Sequence, residues 1–195
     1  MSERLPVLKL PEIKKFQNIE LYETDNFQYL LIHKNGSTSV LECIKHLNPI
    51  ATQKCNFNKV RWTVIREPYE RFVSGLEYDL KRQNVELKDI DSSSLHSSRI
   101  NGYSRQIGNV NHTASQIPYL MNTNIDWYVE LKDLSTFLQM HFDNVEYLNP
   151  DDNENKVEVE IDKLDVDKYL DLDYYVYKDI INSPNLWKWQ NGRIF

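Results

Sequence analysis

Glycine is scarce in this chain, with five residues in 195. That excludes long flexible linkers and any glycine-rich architecture. The two cysteines, Cys43 and Cys55, form neither a disulfide framework nor a metal-ligand spacing. A reducing compartment is therefore the expectation, with Cys43 a small buried residue in a helix. No apolar run approaches the length of a membrane span, and residues 1–20 mix charges with isolated apolar side chains, unlike a secretory signal. The reading is a cytoplasmic protein with no membrane partner. Basic residues are also in deficit: 23 Lys and Arg against 29 Asp and Glu give a net charge of −6. That balance argues against a nucleic-acid binder or a protein built to hold polyanions.

What is present is ordinary in hydrophobicity (41%) and rich in aromatics, with 12 Tyr, 7 Phe and 4 Trp. The length suits one domain, 1–195, with a substantial core. Residues 1–26 read as an extended lead-in with a short edge strand. Phe27–Ile32 has the length and the aromatic and β-branched content of a buried strand. A glycine turn follows, and Val40, Leu41, Ile44 and Leu47 then share one helical face, so a helix is expected over Ser37–Leu47, stopped by Asn48-Pro49.

The turn Lys34-Asn35-Gly36-Ser37-Thr38-Ser39 is where chemistry concentrates. A helix start leaves N–H donors unpaired and carries partial positive charge, which suits an anion. Lys34 adds a full charge, and three hydroxyls follow it. Two readings stand: a phosphate cradle, or an ordinary capped turn with a solvated lysine. Asn35-Gly36-Ser37 and Asn111-His112-Thr113 match the glycosylation pattern, but a glycan on Asn35 would block the cradle, and both are taken as chance matches.

A second strand is expected over Lys59–Ile65, with Pro68 opening a helix whose core stripe is Tyr69, Phe72, Val73, Leu76 and Leu80. Strand–helix pairs at this spacing favour a parallel α/β sheet. A nucleotide-triphosphate loop would read G-x-x-x-x-G-K-[ST], with an acid on the neighbouring strand to help hold magnesium. Here the lysine precedes the glycine and the second strand ends in Arg66, a planar fork of donors matched to phosphate oxygens. Ser74, eight residues on, supplies a hydroxyl for the same anion. The pair of sites suggests a ligand with two separate phosphates and no metal; the plain alternative for Arg66 is an ion pair with Glu67 or Glu70.

Residues 82–111 are polar, serine-rich and aperiodic, as a functional loop would be. Further elements are expected at Ser115–Met121 (helix), Ile125–Leu131 (strand), Asp133–His141 (helix), Asn144–Leu148 (strand), Val157–Ile161 (edge strand) and Asp167–Ile181 (helix). The apolar tail, 184–195, is expected to pack either on the body or on a second copy in a homodimer.

The motifs resemble a known family. Lys34-Asn35-Gly36-Ser37-Thr38-Ser39 is similar to the 5′-phosphosulfate loop of sulfotransferases that use 3′-phosphoadenosine-5′-phosphosulfate (PAPS). Val64-Ile65-Arg66-Glu67-Pro68-Tyr69-Glu70-Arg71-Phe72-Val73-Ser74 resembles their 3′-phosphate element. His112-Thr113-Ala114-Ser115-Gln116, Asp126–Leu134 and Tyr174–Asp179 resemble the carbohydrate sulfotransferase branch. The resemblance runs from Phe27 to Ser183. It implies a P-loop-like, three-layer α/β fold with a central parallel sheet of about four or five strands flanked by helices. It also implies transfer of a sulfuryl group from PAPS to a glycan or small-molecule hydroxyl, with release of 3′-phosphoadenosine-5′-phosphate (PAP).

Under that resemblance Lys34 and the turn amides face the leaving phosphate, while Arg66 and Ser74 hold the 3′-phosphate. His112 occupies the position of the family's histidine and is the candidate general base, with Glu42 and Glu77 as carboxylate alternatives. His33 is placed at a strand end, and His46, His96 and His141 are passed over. Arg99, Tyr103 and Arg105, in the serine-rich loop, are candidate acceptor contacts. Two features depart from the family: the chain is acidic overall, which favours a neutral acceptor, and the late basic motif has only Lys156 as a weak counterpart. Two other functions remain: a PAP- or PAPS-binding module without catalysis, and a small ATP-dependent phosphotransferase.

Overall fold

The computed structural model describes residues 19–83, 112, 115–121, 123–142 and 163–195. Five strands form one mixed sheet. They are β1 (Leu21–Glu23), β2 (Phe27–Leu30), β3 (Ile50–Thr52), β4 (Val60–Ile65) and β5 (Trp127–Glu130), in the order β3-β1-β2-β4-β5. β2, β4 and β5 run parallel. β1 pairs antiparallel with both β2 and β3, so the expected central parallel sheet of about four or five strands is a mixed one. Strands of three residues carry no readable alternation, so this half left little trace in the sequence pattern.

The helices are α1 (Ser37–Ile44), α2 (Pro68–Gln83), α3 (Ile117–Met121), α4 (Leu134–His141) and α5 (Lys163–Ile181). α1 ends in a single 3-10 turn, Lys45–Leu47, closed by Asn48 in the left-handed conformation. α2 opens at Pro68, whose missing N–H costs nothing there. The Glu67 side chain caps it by accepting the Glu70 N–H at 2.7 Å. α3 begins two residues later than expected, and α5 begins four residues earlier. The strand expected at 144–148 and the segment 157–161 lie outside the described residues, as do 84–111.

Alternation along β2 and β4 divides the core. Phe27, Tyr29, Leu31, Trp62 and Val64 pack with α1 (Val40, Ile44) and α4 (Leu134, Phe137, Leu138). Leu30, Ile32 and Ile65 pack with α3 (Tyr119, Leu120) and the end of α5 (Tyr177, Ile180). The parallel strands therefore bury both faces, as helices on either side of a sheet require. Trp62, fully buried, centres the first cluster, with ring centroids 4.8 Å from Tyr29 and 4.7 Å from Phe137. A third cluster joins α2 to α5 through Phe72, Leu76, Leu80 and Leu170.

The tail packs on the body: Trp187 is buried, and Phe195 lies 4.6 Å from the Phe27 ring. No described helix is long and apolar enough to cross a membrane.

Candidate anion site at the end of the parallel strands

Ligands of open α/β sheets bind beyond the carboxyl ends of the strands. At that edge, between β2 and α1, the chain makes a tight turn with two left-handed residues, Lys34 (φ 66°) and Gly36 (φ 74°), separated by Asn35. Positive φ at both positions turns the chain sharply between β2 and α1, and the intervening Asn35 N–H is spent on Ile32 O at 3.3 Å.

The first α1 amide with a backbone acceptor is that of Val40, which donates to Gly36 O at 3.1 Å. Ahead of it, Ser37, Thr38 and Ser39 stand in the first turn, where N–H groups have no intrahelical acceptor, and no side chain caps the helix. Gly36 is required twice over. Besides its positive φ, a Cβ there would lie 2.5 Å from Leu134 Cδ2 and 2.9 Å from Leu131 Cδ1. The turn is pressed onto the start of α4.

Asn35 takes a different part from its neighbours. It is fully buried, and its amide donates to Val64 O at 2.8 Å and to Gln116 Oε1 at 3.0 Å. Its backbone N–H goes to Ile32 O. Its side-chain amide therefore anchors the turn to the end of β4 and to the segment before α3. Such burial also leaves no room for a glycan. Gln116 extends the network, donating from Nε2 to Arg66 O at 3.0 Å. Its backbone N–H reaches Asp173 Oδ1 of α5 at 3.3 Å, and Ser115 Oγ donates to the same oxygen at 2.7 Å. A buried polar network with this many partners rigidifies what it connects.

Arg66 follows β4 directly. Its Nη1 donates to Lys34 O at 3.3 Å, and its Nε lies 3.6 Å from Glu70 Oε2. The ion pair expected as the plain alternative is therefore formed, and the same guanidinium also touches the cradle turn. Glu70 is largely exposed (side chain 62%), so the pair is a weak competitor for an incoming anion. Ser74 is half-buried in the second turn of α2.

One turn beyond Ser74, Tyr78 carries the Lys34 ammonium over its ring, 3.6 Å from the centroid, a cation–π contact. The other neighbour of Tyr78 is His112, with centroids 4.6 Å apart; His112 in turn stands edge-on to His33 at 5.5 Å. Thus the structure gathers Lys34, Arg66, His112, Tyr78 and His33 around one turn. Burial holds the pKa of His33 below the ordinary imidazole value, and nearby His112, Arg71 and Lys34 push the same way against Glu20.

The carboxylate alternatives differ. Glu42 is exposed on α1 and paired with Lys45 one turn on, whereas Glu77 is half-buried on α2. Arg99, Tyr103, Arg105, Lys156 and His96 lie outside the described residues. Among the described residues, no cluster of His, Cys, Asp and Glu is suited to a metal.

Four residues escaped notice as site members: His33, Tyr78, Arg71 and Gln116. Tyr78 was legible in principle, since it lies one helical turn from Ser74. The others depend on contacts across the fold. A separate cavity of about 480 Å³ opens beyond β5, lined by Glu130, Lys132, Trp187 and Trp189 among others, and none of its lining residues belongs to the cradle. Comparison with protein-family models, with curated proteins and with solved structures finds no match.

Proposed function

We propose that this chain is a PAPS-dependent sulfotransferase of P-loop-like, three-layer architecture, acting on a hydroxyl of a glycan or small molecule. The observation that carries the reading is the turn at 34–39. It combines a lysine, two left-handed residues and uncapped helix-start amides, with Arg66 rather than an acid at the end of the adjacent parallel strand.

The residues fit the donor in kind. The uncapped helix-start amides and the hydroxyls of Ser37, Thr38 and Ser39 suit the 5′-phosphate. Arg66 and Ser74 suit the remote 3′-phosphate, which binds without reacting and so positions the donor. Sulfuryl transfer builds charge on the leaving phosphate. Lys34 and the amides meet that charge in place, with little reorganisation to make. His112, touching Tyr78 and 5.5 Å from His33, is the group to take the acceptor's proton. A cytoplasmic location and PAP as product belong to the same proposal.

A thermal-shift panel separates this reading from the phosphotransferase. PAP is expected to stabilise the fold, by roughly 2.7 kcal/mol at 100 times its dissociation constant. ATP is expected to act weakly, and magnesium to change neither. Equal stabilisation by ATP, or PAP binding lost on chelation, overturns the two-phosphate site. Transfer of labelled sulfate from PAPS to an acceptor panel then distinguishes an enzyme from a binding module.

A further inference from the structure

Two successive carbonyls of the cradle turn each accept from an arginine. Arg66 takes Lys34 O, and Arg71 takes His33 O through Nε at 3.1 Å. Arg71 is 3% exposed, too buried to meet a ligand. It lies in the first turn of α2, its N–H bonded to Glu67 O. Burial draws its pKa down to about 10, with Asp173 and Tyr119 pulling the other way, and it stays cationic at neutral pH.

A peptide group has two ends. Where a carbonyl is held on one side, the N–H of the same peptide faces the other. The His33 carbonyl belongs to the peptide whose N–H is that of Lys34, the residue forced to φ 66°. A non-glycine residue pays about 1–2 kcal/mol for that conformation, and such strain persists only where neighbours over-determine it.

We propose that Arg71 is a positioning residue for the anion cradle: its guanidinium holds the His33 carbonyl, and through it keeps Lys34 left-handed with the turn amides aimed at the ligand. The proposal rests on the anion-binding reading of this turn. Arg71 also supplies buried positive charge behind the site. Asp173, the carboxylate facing it, already accepts from Ser115 and Gln116 and so is shared rather than devoted to Arg71.

The test compares Arg71→Met and Arg71→Lys with the native chain by two readouts. One is the dissociation constant for PAP. The other is the set of backbone carbon chemical shifts of Lys34, which report the left-handed conformation without any ligand. Arg71→Met is expected to lose PAP affinity by about tenfold or more, the worth of a charge-assisted hydrogen bond, and to lose the left-handed signature. Arg71→Lys, keeping the charge but only one displaced donor, is expected to fall between the two, with a few-fold loss of affinity and weakened left-handed shifts.

Native affinity in a folded Arg71→Met overturns the proposal. So does lost affinity with the Lys34 signature intact, which would mean that Arg71 acts by some other route. If Arg71→Met does not fold, Arg71→Lys decides. A loss of PAP affinity by a few-fold with weakened left-handed shifts supports the clamp, and unchanged values overturn it. A native chain that binds no PAP would sink the donor assignment, and the Lys34 shifts would still judge the clamp.

Discussion

β4 has an arginine near each end, and the two have opposite fates. At the amino end Arg61 is 5% exposed and closed onto Asp126. Its Nε and Nη2 each donate to a carboxylate oxygen at 3.0 Å, its backbone N–H reaches Asp126 Oδ2 at 2.8 Å, and Asp126 returns an N–H to Arg61 O. That charge is matched at contact distance by one carboxylate, and the pair stitches β4 to the segment entering β5. At the carboxyl end Arg66 donates to Lys34 O and meets its carboxylate, the largely exposed Glu70, only at 3.6 Å, while Arg71 donates to His33 O. A carbonyl satisfies a donor without cancelling its charge, and a solvated carboxylate at that distance cancels little of it. The residue type is the same; the partner decides whether it closes a structure or leaves a field for a ligand.

If that contrast holds, substitutions at the two ends should fail in different assays. The largest effect belongs to the carboxyl end. His112→Ala is expected to lower turnover by roughly a hundred- to ten-thousandfold, the range for a general base, while PAP affinity stays near native. Steady-state rates with labelled donor and calorimetric titration of PAP check the two halves. Full activity would pass the role to Glu77 or Glu42. On the proposed sulfuryl transfer, in which the Lys34 contact strengthens as charge builds on the leaving group, Lys34→Ala is expected to cost on the order of a hundredfold in turnover. A change confined to the Michaelis constant would remove that assignment.

Next in size is Gly36→Ala. Its new methyl meets Leu134 and Leu131 inside contact distance, an overpacking of about 1–3 kcal/mol, and the left-handed backbone adds roughly 1 kcal/mol. Denaturant midpoints should fall, and the cradle should lose anion affinity with them. Asp126→Ala, at the opposite end, is expected to cost about 1–2 kcal/mol. That is below the figure for a fully buried pair because the Asp126 side chain is 38% exposed, where solvent screens the charge. PAP affinity should not move. A variant at Asp126 that weakened donor binding would erase the distinction between the two ends.

How much of this was legible beforehand follows from range. β2 and β4 announce themselves by aromatic and β-branched content and α1 and α2 by apolar period, and the cradle lies between two of them. Of the antiparallel half only a short edge strand within residues 1–26 was expected, without its position, because Leu21–Glu23 and Ile50–Thr52 are too short to alternate. The site's support was hidden for another reason. Asn35 finds Gln116 across 81 residues, and Gln116 finds Arg66 across 50. Nothing local distinguishes these buried amides from solvated ones. His33 was passed over because its neighbours show only a strand end; its meeting with His112 is a product of the fold.

The smallest effect sharpens the contrast with a histidine remote from the cradle. His141, at the end of α4, is 8% exposed. Its Nδ1 lies 2.8 Å from Phe137 O, and its Nε2 receives the Ile194 N–H at 2.9 Å. A carbonyl can only accept, so Nδ1 carries the proton and Nε2 must stay bare: the bond to the tail needs a neutral ring. Burial lowers the pKa of His141, as does Arg193, and the hydrogen bond to Phe137 only partly offsets them. The folded state therefore binds this proton less well than the unfolded chain, whose histidine titrates near 6.5. Stability from His141 is fully present above that value and falls as pH drops below it, by at most about 1.4 kcal/mol per pH unit for one proton. Melting temperatures of the native chain and His141→Asn between pH 7.5 and 5.5 should converge as the pH falls, with Trp187 fluorescence following the tail beside it. His33→Asn tests the same linkage at the cradle, where the His33 pKa is also lowered. There the acid-side change should appear in donor affinity as well as in stability. A His141 substitution that altered PAP binding with pH would mean that the tail and the cradle are coupled, and the two ends of the sheet could no longer be read apart.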